Sequence, residues 1–178
     1  MPKDQPIDDF DPPLSERGRA DAPGTGRWLA GSAFEPDLVL CSPARRTRQT
    51  WQLAAAALKN PPPVVYDERL YNAAPSMLPT MLAEGGSGLR SLALVGHNPG
   101  IHELAVGLAG SGPSDLSERV RAGFPTSGVV VMDVLGGWED AGQRDGGCLL
   151  VSSRLTPVGP VRPSVGTDSP RPAGAPAA

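Results

Sequence analysis

The chain has 178 residues, enough for one domain with a complete core and too few for two domains of usual size. Its 16 Lys and Arg residues against 19 Asp and Glu give a formal net charge of −3, which gives no support to nucleic-acid or membrane-surface binding. Two cysteines cannot form a disulfide framework, and no apolar run reaches the roughly 20 residues of a membrane span. We therefore expect a cytoplasmic protein that binds neither nucleic acid nor membrane.

Two helices with serine caps are predicted in the first third of the chain. The first begins after Ser15 and reaches about residue 31. The second begins after Ser42, with Pro43 at its first helical position, and reaches about residue 58.

The remaining predicted elements are short apolar or β-branched runs separated by proline and glycine. Strands are predicted at 36–41, 64–66, 89–95, 128–134 and 148–152, and further helices at 77–83 and 101–108. This alternation predicts an α/β three-layer sandwich, with a mostly parallel central sheet flanked by helices. We expect the domain to span residues 1–156 and residues 157–178, which hold six prolines, to form a disordered tail.

Polar residues follow two of the predicted strands at their carboxyl ends, where ligands bind in parallel sheets. Residues 95–100 (VGHNPG) place His97 in a tight turn before a helix N-terminus, a natural anion site. Residues 42–50 (SPARRTRQT) hold three arginines in four positions, one of which can aim its guanidinium at a phosphate. Taken singly, His97 fits a structural turn residue and the arginines fit a solvated helix face. Together, the two motifs favour a site for an anionic ligand.

Five short blocks resemble the histidine phosphatase superfamily in its SixA-type branch. The blocks are residues 13–18 (PLSERG), 41–50 (CSPARRTRQT), 68–71 (ERLY), 95–100 (VGHNPG) and 124–126 (FPT). The resemblance covers roughly residues 11–155 and implies a phosphoglycerate mutase-like fold. It further implies metal-independent hydrolysis, without a cofactor, through a phosphohistidine intermediate. The implied substrate is a phosphoprotein, such as a histidine-phosphorylated phosphotransfer domain, or a small phosphomonoester.

The resemblance also implies roles for individual residues. Arg46 matches the arginine of the family's phosphate pocket, and His97 matches the second histidine, which binds the phosphoryl group and stabilises the transition state. Glu68 falls near the position where some members place a proton donor, although an exposed carboxylate at a strand end is the simpler interpretation. The residues expected to point away from the pocket are Arg45, Arg48 and His102, the last as a surface residue of its helix.

The family's N-terminal strand, which ends in Arg-His and supplies the nucleophilic histidine, has no counterpart in this sequence. Its only histidines are His97 and His102, and neither follows an arginine. A sheet without that strand leaves buried backbone groups unpaired, at a cost of about 1–3 kcal/mol each. We therefore expect this chain to be inactive, poorly stable, or both.

Three explanations of the absent strand stay open, and we favour the first. Met1 is an internal residue of a longer, active phosphatase whose start lies upstream. Alternatively, the chain is a degenerate member that binds phosphorylated ligands without turnover. The third explanation is a real truncation, or a rearranged site in which His97 or His102 acts alone. Translation of the upstream DNA in frame separates these explanations, since the first predicts Leu-Arg-His-Ala-Lys-Ser ahead of Met1.

Overall fold

The computed structural model describes residues 12–32, 34–111, 114–141 and 148–154. The helices are α1 (Glu16–Ala30), α2 (Arg45–Ala55), α3 (Leu78–Gly86), α4 (Gly100–Leu108) and α5 (Ser114–Ala122). The strands are β1 (Leu38–Cys41), β2 (Val64–Tyr66), β3 (Leu92–Val95), β4 (Ala109–Ser111), β5 (Val129–Val134) and β6 (Cys148–Arg154). The predicted domain end at 156 and tail at 157–178 lie outside the described residues.

The strands form two three-stranded sheets, in the orders β2-β1-β3 and β4-β6-β5. The first sheet is entirely parallel, and Cys41 of β1 lies opposite Tyr66 on one side and Val95 on the other. In the second sheet β4 runs parallel to β6 while β5 runs antiparallel to it. The carboxyl ends of β1, β2 and β3 therefore meet at one edge. The predicted α/β class, with a mostly parallel sheet flanked by helices, is confirmed.

The β2-β1-β3 sheet buries both of its faces, because successive side chains of a strand point to opposite sides. On one face Val39 and Cys41 pack with Trp51 of α2 and Leu29 of α1. On the other face Leu40 packs with residues of α3 and α4, which include Leu78, Met81, Leu104 and Leu108. This arrangement gives the three layers that the sequence pattern predicts.

Helix α1 begins and ends where its capping residues predict. The hydroxyl of Ser15 accepts a hydrogen bond from the Gly18 N–H at 3.1 Å, which satisfies one free donor of the first turn. The helix continues through Pro23 and ends at Gly31, whose N–H donates to the Arg27 carbonyl. Because α1 packs against α2, tertiary contacts hold this helix together despite the internal proline.

The predicted start of the second helix is wrong. Helix α2 begins at Arg45 and its N-cap is Ala44, which makes no side-chain capping bond. The Ser42 hydroxyl does not cap α2: it lies 2.8 Å from a histidine nitrogen across the sheet edge and accepts the Ala44 N–H, one residue before the helix, at 3.4 Å. The hydroxyl of Thr47 lies 2.8 Å from the carbonyl oxygens of both Ser42 and Ala44 and so stabilises the turn between β1 and α2.

Two elements, β4 and α5, were not predicted from the sequence. Strand β4 consists of Ala109, Gly110 and Ser111, which have little strand propensity, and it exists through its pairing with β6. Helix α5 carries two apolar side chains at helical spacing, Leu116 and Val120, and buries only Val120 fully, so its apolar pattern is too short to mark a helix clearly. None of the described helices is long and apolar enough to cross a membrane.

Candidate active site

The candidate site lies at the carboxyl edge of β1 and β3, where Ser42 follows one strand and the Gly96-His97 turn follows the other. The Ser42 N–H donates to the Val95 carbonyl at 2.9 Å, so the pairing of the two strands continues into the loops. The side chains of the two loops also meet, because the Ser42 Oγ lies 2.8 Å from His97 Nε2. Ser42 is fully buried and His97 is half-buried. The imidazole therefore contacts a buried hydroxyl while the residue stays partly exposed.

Tyr71 connects the two residues that the sequence predicts to bind phosphate. Its ring meets the His97 ring edge-on, with centroids 5.5 Å apart and an angle of 86° between the planes. The guanidinium carbon of Arg46 lies 5.7 Å from the centroid of the same tyrosine ring. Arg46 is half-buried in the first turn of α2, whereas Arg45 and Arg48 are exposed. The structure thus brings Arg46 and His97 together around one aromatic side chain.

A cavity of about 580 Å³ opens beside these residues, and Arg46, His97 and Asn98 line it. The Asn98 side-chain amide donates to the Phe124 carbonyl at 2.8 Å, which fastens the loop after β3 to the loop before β5. That second loop adds Thr126 and Ser127 to the cavity lining. The polar lining residues therefore gather at the end of the cavity where β3 stops.

Arg69, which lies in the short segment before Tyr71, is a second arginine near the site, and its guanidinium is paired with two carboxylates. Its guanidinium donates to Asp67 at 2.7 Å and to Glu84 at 2.8 Å. The hydrogen bond from the Arg69 side chain holds the pKa of Asp67 below its usual value, and Asp67 in turn raises the pKa of Arg69. Arg69 is thus neutralised locally, and among the described lining residues of the cavity Arg46 is the one arginine or lysine.

Cys41 lies directly before Ser42 but is unsuited to be the nucleophile of this site. Its side chain is fully buried, and burial raises the pKa of the thiol to about 12. The thiol therefore stays protonated at neutral pH. Among the residues that the structure describes, no three His, Cys, Asp or Glu side chains are grouped so that they could hold a metal ion.

Two predicted residues lie apart from Arg46 and His97. Glu68 is exposed at the start of a short 3-10 helix (Glu68–Leu70), and it is not among the described residues that line the cavity. His102 is half-buried and not a freely exposed residue of its helix: its Nε2 lies 2.8 Å from the Val120 carbonyl oxygen and its ring centroid lies 6.2 Å from that of Phe124. The physical reason is α5, which covers this side of α4 and was absent from the predicted elements.

Sequence reasoning missed Ser42 and Tyr71 as members of the site. The signal for Ser42 is its place after a buried strand, but a serine before a proline equally fits a helix cap. Tyr71 is the last residue of the block 68–71, and nothing in that block indicates which side chain it contacts. Both contact His97 from elements that are distant in sequence, so no local pattern indicates the contact.

A half-buried histidine follows one parallel strand, and an arginine lies in the first helical turn after the neighbouring strand, so this α/β protein has a candidate anion site at the sheet edge. Residues 6–76 match the model of the histidine phosphatase superfamily (branch 1). An uncharacterised protein of Mycobacterium tuberculosis (strain CDC 1551) is 40% identical over 136 residues, which span 75% of this chain and 84% of that protein.

Two solved structures agree with this match. A proposed phosphohistidine phosphatase SixA of Nakamurella multipartitia is 27% identical with a TM-score of 0.73, over 88% of this chain and 91% of that one. A proposed phosphohistidine phosphatase SixA of Agrobacterium tumefaciens is 30% identical with a TM-score of 0.66, over 88% of this chain and 89% of that one. The chain belongs to the histidine phosphatase superfamily, and to its SixA type.

The contact between the buried Ser42 hydroxyl and His97 can be tested by substitution. Replacing Ser42 by alanine removes the buried hydroxyl that lies 2.8 Å from His97 Nε2 and leaves that nitrogen without this partner. We expect the free energy of unfolding to fall by about 1–2 kcal/mol and the ¹⁵N shifts of the His97 ring to change. Ser76→Ala, at an exposed turn position, is the matched control and should change neither quantity. Unchanged His97 ring shifts in Ser42→Ala would show that the hydroxyl does not position the imidazole.

Proposed function

We propose that the intact domain is a SixA-type phosphatase that hydrolyses phosphohistidine or phosphomonoesters through a phosphohistidine intermediate. The observation that carries this proposal is the placement of Arg46 and His97 around Tyr71 at the carboxyl edge of the sheet. The planar guanidinium of Arg46 suits bidentate contact with two phosphoryl oxygens. His97, oriented by Ser42, suits donation of a hydrogen bond to the charge that develops on the transferring group.

The mechanism requires a second imidazole. His97 donates a hydrogen bond to the transferring phosphoryl group, so it cannot also be the nucleophile that attacks phosphorus. The other histidine of the chain, His102, is engaged with the Val120 carbonyl on the α4–α5 side. We therefore propose that the nucleophilic histidine belongs to a segment ahead of Met1, and that the chain as given is inactive. In the intact protein, that histidine's nitrogen bonds to phosphorus as the bond to the leaving group breaks. Water then attacks phosphorus, which releases phosphate and restores the histidine.

The shape of the site favours a phosphate that is displayed on another molecule. The segment between Tyr71 and β3 contains one nine-residue helix, α3, so it forms no large lid over the cavity. We infer that the substrate is a histidine-phosphorylated phosphotransfer domain or a small phosphomonoester, in the cytoplasm, without a metal or cofactor. In this proposal residues 1–156 form the catalytic domain without its first strand, and residues 157–178 form a tail. Glu68 is a candidate proton donor.

The test uses the protein extended upstream of Met1 in its own reading frame. Incubation with a ³²P-labelled phosphohistidine protein should yield acid-labile label on the enzyme, followed by release of inorganic phosphate. Substitution of alanine for the upstream histidine should abolish both signals. Failure of the extended protein to release phosphate from both phosphohistidine protein and p-nitrophenyl phosphate would contradict the proposal.

The second candidate function is a phosphate- or phosphoprotein-binding member without turnover. It is favoured by one observation: the described site holds Arg46 and His97 but no second imidazole. This alternative predicts that the extended protein binds phosphate, loses that affinity in Arg46→Ala, and incorporates no acid-labile label. The label therefore separates the two functions.

A further inference from the structure

Three exposed arginines surround the point where the start of α1 contacts α2. The Leu14 N–H donates to the Gln49 side chain at 2.7 Å, and the Arg19 guanidinium donates to the Leu14 carbonyl. Arg45 has both Arg48 and Gln49 as neighbours on the surface of α2, because they follow it by three and four positions. The side chains of Arg19, Arg45 and Arg48 are all exposed. We call these three residues the arginine patch.

The arginine patch lies at the rim of the candidate site. Helix α2 follows β1 directly, so its first turn lies at the carboxyl edge of the sheet. Helix α1 begins at the same edge, because Leu14 contacts the first half of α2 and Gly26 packs on Ala54 near its end. Leu14 also lines the cavity that Arg46 and His97 line. A molecule whose phosphate is bound in that cavity therefore has its neighbouring groups beside the arginine patch.

The charges of the arginine patch are not balanced by carboxylates of the described chain. Three other arginines have such partners: Arg17 lies 3.5 Å from Asp21, and Arg69 and Arg90 each contact a carboxylate as well. None of the Asp and Glu side chains that the structure describes forms an ion pair with a residue of the arginine patch. The rim of the site thus presents cations that are open to an anionic partner.

The start of α2 adds a second reason for an anion at this rim. Its N-cap, Ala44, makes no side-chain hydrogen bond, and its first turn contains no acidic residue. Arginines in that turn oppose the helix dipole, and a negative charge beside them offsets this unfavourable interaction. Helices α1 and α2 together contain six arginines and two carboxylates, whereas the whole chain has a formal net charge of −3. The positive charge is therefore concentrated on the two helices that begin at the site.

We propose that the arginine patch binds acidic residues that flank the phosphorylated residue of a protein substrate, and so selects acidic segments over neutral ones. The proposal rests on the proposed function, in which Arg46 and His97 hold the phosphate. Each guanidinium of the patch can donate paired hydrogen bonds to one carboxylate. Exposed ion pairs contribute little singly, but three of them on one bound segment should favour it by about five- to tenfold at low ionic strength.

The experiment titrates two phosphoserine peptides into the ¹⁵N-labelled 178-residue chain and measures both Kd values by NMR. In the first peptide aspartates flank the phosphoserine on both sides, and in the second asparagines take their places. Because both peptides carry the same phosphate, the ratio of the two Kd values reports the flanking charges alone. We expect the acidic peptide to bind about five- to tenfold more tightly in about 50 mM salt and less than about twofold more tightly in about 0.5 M salt.

Charge reversal on α2 tests the residues of the arginine patch. Arg45→Glu combined with Arg48→Glu should make the neutral peptide the tighter ligand, because carboxylates would then face carboxylates. Glutamate near a helix N-terminus is favourable, so this variant should keep its fold. Arg45→Gln with Arg48→Gln should bring the ratio close to one. The matched control is Arg119→Gln with Arg121→Gln, which removes two exposed charges from α5 and should leave the ratio as in wild type.

The possible outcomes separate the arginine patch from the proposed function. No binding of the acidic peptide, or a preference that the α2 variants leave unchanged, would overturn the arginine patch. So would a preference that emerges only when the four aspartates of residues 1–11 are changed to asparagine, because the chain's own N-terminal residues would then be the occupant. Equal binding of both phosphopeptides that is lost in Arg46→Ala would overturn the arginine patch and support the proposed function. A preference for acidic peptides that the phosphate does not strengthen would support the arginine patch and contradict the proposed function alone.

Discussion

Replacement of Arg46 by alanine is expected to weaken the binding of inorganic phosphate or tungstate by about 10- to 100-fold. The guanidinium lines the cavity at its polar end and lies over Tyr71, so it can contact a tetrahedral anion held by His97. A hydrogen bond to a charged group contributes about 1.5–3 kcal/mol, and every 1.4 kcal/mol is tenfold in affinity. Isothermal titration calorimetry of the 178-residue chain measures the change directly.

Arg45→Ala is the matched control for this prediction. Arg45 precedes Arg46 in the same helical turn and carries the same charge, but it is exposed. If a general positive field binds the anion, the two variants should lose affinity equally; if a built pocket binds it, Arg45→Ala should change the affinity less than about threefold. Arg46→Lys should fall between wild type and Arg46→Ala, because lysine retains the charge without the planar fork. Equal losses in Arg45→Ala and Arg46→Ala would contradict the assignment of Arg46.

The stability of Arg46→Ala shows whether weaker phosphate binding comes from a lost ligand contact or from a loss of folded protein. An arginine in the first turn of a helix opposes the helix dipole, so its removal relieves a small unfavourable interaction while it loses the contact with Tyr71. These two effects have opposite signs, and we expect the free energy of unfolding to change by less than about 1 kcal/mol. A large loss of affinity with nearly unchanged stability therefore indicates a ligand contact.

The position of the site was predictable because parallel strands share their carboxyl edge. The apolar runs before Ser42 and before Gly96 each indicate a buried strand, and two such strands in one parallel sheet bring the residues after them together. Arg46 and His97 could therefore be expected near each other without any three-dimensional information. The contact between the Ser42 hydroxyl and His97 could not, because serine before proline equally fits a helix cap.

The environment of His102 shows why the other errors arose. Its exposure depends on whether another element covers α4, and α5 has one buried residue to reveal it in the sequence. The pairing of β4 likewise depends on β6, which lies more than thirty residues away along the chain. Elements that are stabilised mainly by partners from elsewhere in the chain leave weak local patterns, so sequence reasoning finds the long periodic helices and the buried strands first.

Replacement of Gly26 by alanine is expected to lower the free energy of unfolding by about 3 kcal/mol. A Cβ built on Gly26 would lie 2.0 Å from the Ala54 carbonyl oxygen and 2.7 Å from its carbon. These are backbone atoms of α2, so the clash cannot be relieved by a side-chain rotation, and α1 and α2 must move apart. Overpacking of a tight contact costs about 1–3 kcal/mol, and a backbone obstacle belongs at the upper end of this range. Urea denaturation followed by circular dichroism measures the loss.

Gly107→Ala is the matched control, because Gly107 also lies in a helix but a Cβ there meets no atom within 4 Å. This variant should gain about 0.5–1 kcal/mol, since alanine loses less backbone entropy than glycine on folding. The two glycine-to-alanine substitutions should change the free energy of unfolding with opposite signs. The difference between them therefore reports the close approach of α1 and α2 and not the general effect of replacing a helical glycine. A Gly26→Ala protein as stable as wild type would show that the helices do not touch at this point. Because α2 carries Arg46, separation of the two helices should also weaken phosphate binding in Gly26→Ala, whereas Gly107→Ala should bind phosphate as wild type does.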